Sequence, residues 1–73
     1  MVSTFSMPTE GSAASRVSAI LVPHTARFSA AWAEHPGNRT IVTIRHEDAH
    51  ADMLLSLLQR AHPRVRHVSS SPA

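Results

Sequence analysis

The chain has no cysteine and no tyrosine, and its only glycines are Gly11 and Gly37. Without cysteine there is no disulfide framework and no thiolate metal site. Neither glycine falls in an expected strand-to-helix turn, so no phosphate-cradling loop is available. P-loop and dinucleotide binding are disfavoured accordingly. Lysine is absent as well, and all seven basic residues are arginine. No serine sits in a G-x-S-x-G turn, so no Ser/His/Asp catalytic set can be argued. The apolar runs are far too short to cross a bilayer, and no membrane partner is expected. The N-terminus lacks the basic-then-apolar order of a secretory signal. A cytoplasmic location is the expectation.

What is present is small and basic. Seventy-three residues allow one domain at most. A chain this short buries only about 60% of its unfolded surface. It commonly needs support, from a partner chain or a histidine-bound metal. Net charge is +2 with histidine neutral, and six histidines add positive charge on acidification. That balance permits a nucleic-acid partner without demanding one.

Residues 1–15 are rich in Ser, Thr and Ala and show no sustained period. They read as a flexible tail, as do residues 69–73. A single small domain is expected over 16–68. Residues 16–22 (R-V-S-A-I-L-V) read as a covered strand, with Ile20, Leu21 and Val22 apolar on both faces. A helical reading would align Ala14, Val17 and Leu21. Residues 25–34 hold four alanines and read as a helix capped by Thr25, with Phe28, Ala31 and Trp32 on one face. The rival reading is a strand alternating about Phe28 and Trp32, turned by Pro36-Gly37. Residues 39–45 are a strand on their β-branched run. A long helix follows. Ala49, Met53, Leu54, Leu57, Leu58 and Ala61 share one face, and Pro63 stops it. Residues 65–68 form a last short strand. The fold class expected is α/β, a small two-layer β-α-β-α-β unit with parallel strands. The alternative is an α+β hairpin followed by a long helix. In that alternative the run H-P-G-N-R-T-I-V-T-I-R-H resembles the hairpin of small HicA-type messenger-RNA-cleaving toxins. Those proteins use a histidine in the strand before the turn. Ala30 and Ala31 stand in that neighbourhood here, so no catalytic residue carries over.

The chemistry candidates are three. His46-Glu47-Asp48-Ala49-His50 is an H-E-x-x-H, which resembles the helix signature of zincin metallopeptidases. The resemblance implies His46 and His50 as zinc ligands one turn apart and Glu47 as general base. The match departs from the family at the charged Asp48, at Asp52, and in lacking a G-x-x-H continuation. The alternative is that Glu47 and Asp48 favour the helix start and His50 is a hydrogen-bonded core histidine. The second candidate follows from a parallel sheet, where strand ends would bring His24 to His46 and His50 as a third ligand. The third is the basic end, Arg60, Arg64 and Arg66, which suits phosphates or an acidic partner.

Together these residues suggest a basic accessory or regulatory protein that binds a macromolecule without a cofactor. The partner would be a protein, a second copy of the chain, or nucleic acid. The second reading is a histidine-based zinc protein, metallopeptidase-like. A short reading frame without selected function would also look like this.

Overall fold

The β-branched run Thr40-Ile41-Val42-Thr43-Ile44 lies at the centre of the strongest strand in the chain, and the other elements build on it. The computed structural model describes every residue except Glu10, Thr25, Ala26, Asp48, Ala49 and Ala73. In order the elements are β1 (Val2–Pro8), α1 (Ala13–Leu21), a 3-10 turn (Val22–His24), β2 (Ser29–His35), β3 (Arg39–Arg45), α2 (Ala51–Ala61) and β4 (Arg66–Ser71). The strands form one sheet in the order β2-β3-β1-β4. Every neighbouring pair is antiparallel. The chain is therefore a mixed α/β fold, with a four-stranded antiparallel sheet and two helices. Its element and strand order are those of the split βαβ arrangement.

Side chains alternate across a strand, so the register fixes two faces. Phe5, Met7, Val42 and Ile44 point to one face and are fully buried. Ala13, Val17 and Leu21 of α1 meet them, spaced at i, i+4 and i+8. Leu54 and Leu58 of α2 join the same cluster, together with Phe28 and Val65. Both helices thus cover one face of the sheet. The opposite face has no layer over it among the described residues.

Several expectations are corrected. Residues 1–15 are not a tail: residues 2–8 form β1, a central strand, and α1 starts within them. Its alternation was hidden because Ser3 takes a core-facing place beside Phe5 and Met7. Residues 16–21 belong to α1 and Val22 opens the 3-10 turn, so no strand forms there, and the line Ala13-Val17-Leu21 is what the helix buries. Residues 29–35 form β2, so the hairpin reading holds there and the helix does not. Its pairing with β3 outweighs the helix preference of its alanines. Gly37 (φ +87°) and Asn38 (φ +58°) make the turn, in a left-handed region open to glycine and tolerated by asparagine. The cap expected at Thr25 lies outside the described residues. Strand 39–45 is as expected. The long helix is shorter at its start, beginning at Ala51. The apolar position expected at Ala49 is outside the described residues. The last strand runs on to Ser71, so residues 69–71 are not a tail. No neighbouring pair of strands is parallel. A hairpin replaces the first of the two expected crossovers, the helix over 25–34, while α2 still carries the chain from β3 to β4.

Candidate functional site

The helix start decides the H-E-x-x-H motif. His46 continues β3 in extended pairing: its N–H donates to the Met1 carbonyl at 2.9 Å. The Met1 ammonium donates to the His46 carbonyl at 2.8 Å. His50 is the residue that precedes α2, at φ −109°. The two histidines are therefore not one turn apart on a helix, which is what the zincin geometry needs. Asp48 lies outside the described residues, and Glu47 is exposed.

His46 is buried and its two ring nitrogens are both engaged. Nδ1 lies 2.5 Å from the Glu47 carbonyl oxygen. A carbonyl oxygen only accepts, so Nδ1 carries the proton. In the neutral ring Nε2 is then an acceptor, and it takes the hydroxyl proton of Ser3 at 2.6 Å. Ser3 Oγ accepts in turn from Ser70 at 2.7 Å. Ser70 Oγ accepts from the Nε2–H of His67, also at 2.7 Å. The chain of donors runs His67, Ser70, Ser3, His46, Glu47. It ties β4 to β1 and β1 to the end of β3.

A serine hydroxyl on a histidine whose other nitrogen is fixed has the makings of an activated nucleophile. Burial rules that use out. Ser3 has 0% exposure, so no substrate atom can approach its Oγ. A metal has no better access, because neither His46 nitrogen offers a free lone pair.

His24 and His50 do approach a common residue. The His24 ring lies 5.8 Å from Phe28 and the His50 ring 6.5 Å from it, edge-on. Both pack on a buried phenylalanine, while His46 is committed to Ser3. Among the described residues no group of three or more His, Cys, Asp or Glu side chains is placed to hold a metal ion.

The arginines divide between layers. Arg60 is an exposed residue of α2, on the covered side of the sheet. Arg64 is exposed in the turn before β4. Arg66 pairs with Ser6 and so faces the open side. Two further arginines join it there. Arg39 and Arg45 alternate with the buried Thr40, Val42 and Ile44 of β3. Arg39 Nε donates to Ser6 Oγ at 2.7 Å, and its Nη2 reaches the same oxygen. Arg45 borders a shallow cavity of about 430 Å³, lined also by Val2, Ser29, Ala31 and Thr43. His35, paired with Arg39, is on this face too. The open face also carries the hydroxyls of Thr4, Ser6, Thr43, Ser69 and Ser71, and none of its register positions is acidic. Arg39 and Arg45 were missed as a site in the sequence. Their even separation in a strand puts them on one face, but that face meets Arg66 only through the strand order.

No protein-family model matches this chain, and neither a curated protein nor a solved structure matches it. Among the described residues no helix is long and apolar enough to cross a membrane.

Proposed function

We propose that the protein binds nucleic acid along its sugar–phosphate backbone, on the open face of the sheet. One observation carries this reading: Arg39, Arg45, Arg66 and His35 share that face with hydroxyls, and among the described residues none of its paired strand positions holds a carboxylate. Arginine and hydroxyl side chains are the usual donors to phosphate oxygens. Arg39 and Arg45 are six residues apart on one strand, roughly 20 Å. That spans about six steps of a stacked strand at 3.4 Å each. The central strands β1 and β3 present Thr4, Ser6, Ile41 and Thr43 on this face, where sheet-based RNA binders stack bases on aromatics. Base stacking there is therefore lacking, and the binding is not sequence-selective.

The test is binding of fluorescent single-stranded RNA and duplex DNA over a salt series. Affinity is expected to fall steeply with salt. Arg45→Gln and Arg66→Gln should each weaken binding and reduce the salt slope by about 1. Arg60→Gln, on the other layer, should leave both unchanged. No binding at low salt overturns the proposal. Binding of polyglutamate in place of nucleic acid assigns the face to an acidic protein and overturns it too.

A further inference from the structure

The two edges of the sheet are built differently. β4 carries Arg66 and His67, and its pairing with β1 is broken by a register shift at Thr4/Phe5. Charge and irregularity are how natural sheets blunt an edge. β2, the other edge, has no register shift, and its one charged side chain is Glu34, next to its end. It pairs with β3 over seven residues without interruption and contains no proline, lysine or arginine. All seven of its residues are exposed. Its outer side offers backbone donors and acceptors that only another strand can satisfy in register.

We propose that this edge is the contact between two copies of the chain, β2 against β2 in antiparallel pairing with Trp32 on the two-fold axis. Antiparallel pairing of a strand with itself is isologous, so the sequence must complement itself. Ser29–His35 does so about its centre, Trp32. Ser29 then faces the partner's His35, Ala30 faces the partner's Glu34, and Ala31 faces the partner's Ala33. The strand's one carboxylate meets alanine, and no like charges oppose each other.

The side chain on the axis fits the role. Trp32 is 39% exposed and Val22 of the neighbouring turn 61%. Trp32 borders a groove of about 660 Å³ between α1 and β2, lined also by Ala14, Ala19 and Val22. In the dimer the partner's Trp32 closes that groove and forms a cross-strand aromatic pair. The result is one eight-stranded sheet with both pairs of helices on the same side. Its open side would then carry Arg39 and Arg45 from both copies. The dimer stands whether or not that side binds nucleic acid.

Sedimentation of the full chain over a wide concentration range tests this. The expected result is twice the monomer mass. Trp32 is the sole tryptophan, so its emission reports the contact directly and should shift to the blue as copies associate. Trp32→Arg places two like charges on the axis and should give a monomer with an unchanged far-ultraviolet spectrum. Trp32→Glu should do the same, and mixing the two variants should restore the dimer as a charge-complementary pair. A wild-type chain that stays monomeric at high concentration overturns the proposal, and it leaves the edge to a strand of another protein. A dimer that survives Trp32→Arg, or that forms with no change in tryptophan emission, places the interface elsewhere and overturns it as well.

Discussion

Ser3 Oγ lies 2.6 Å from His46 Nε2, and both residues are buried, although 43 positions separate them in sequence. The contact closes β1 onto the end of β3. Ser3 also accepts from Ser70, so one hydroxyl serves as donor and acceptor in a dry place. Ser3→Ala leaves a buried ring nitrogen without its donor. We expect a loss of about 1–3 kcal/mol, the cost of an unmet buried polar group. Ser70 is exposed, and Ser3 keeps its bond to His46 without it. Ser70→Ala should therefore cost less than Ser3→Ala. Urea unfolding at constant m measures both. A neutral Ser3→Ala would show that this joint contributes nothing, and equal losses would show that the Ser3–Ser70 bond matters as much as the Ser3–His46 one.

The second expectation concerns α2. The apolar face read in the sequence is correct in direction but uneven in burial. Leu54 and Leu58 have no exposed surface, Leu57 is half-buried and Met53 is 48% exposed. Leu54→Ala and Leu58→Ala should each cost about 2–5 kcal/mol. In a domain this small that can abolish folding. Met53→Ala, at the surface, should fall within about 0.5 kcal/mol of the wild type. A large effect at Met53 with a small one at Leu54 would mean the helix is rotated from the position seen here.

These residues show what was legible and what was not. β3 was readable because five β-branched residues in a row have no competing pattern. The second half of α2 was readable because its leucines recur at helical spacing. α1 was ambiguous because Ile20, Leu21 and Val22 suit a covered strand, while its helical line Ala13-Val17-Leu21 begins with a residue too small to signal. β2 was misread because alanine favours helix locally, and only pairing with β3 reverses that preference. β1 was lost because Ser3 occupies a core position. That position is polar for a reason that lies at His46 and Ser70, far along the chain. The open basic face had its alternation in the sequence, but the partnership of Arg39 with Arg66 exists only once β1 lies between their strands.

The turn between β2 and β3 carries a third expectation. Gly37 has φ +87°, and nothing lies within 4 Å of where a Cβ would stand. The cost of Gly37→Ala is then backbone strain alone, about 1–2 kcal/mol. Asn38, at φ +58°, should accept glycine with little change. Thermal unfolding of the two variants compares them directly. A Gly37→Ala variant as stable as wild type would mean that the turn relaxes to another type.

The last expectation concerns zinc. A ligand that binds only the folded form raises the melting temperature. The H-E-x-x-H pentapeptide invites that test, but α2 begins at Ala51, after both histidines. His46 holds the Glu47 carbonyl with one nitrogen and Ser3 with the other. For His46 to bind metal it must give up Ser3 in the core, and His50 must leave its edge-on contact with Phe28. Zinc is therefore expected to leave the melting temperature unchanged. Nitrogen-15 spectra should show His46 as the tautomer protonated at Nδ1, because the carbonyl beside it can only accept. A zinc-dependent rise that disappears in His50→Ala, together with a shift of the His46 Nε2 resonance on adding zinc, would defeat this account. A rise that survives His50→Ala and leaves the His46 resonances unmoved would place the metal on other histidines. The Ser3–His46 joint would then stand as described, and only the expectation of no zinc effect would fail.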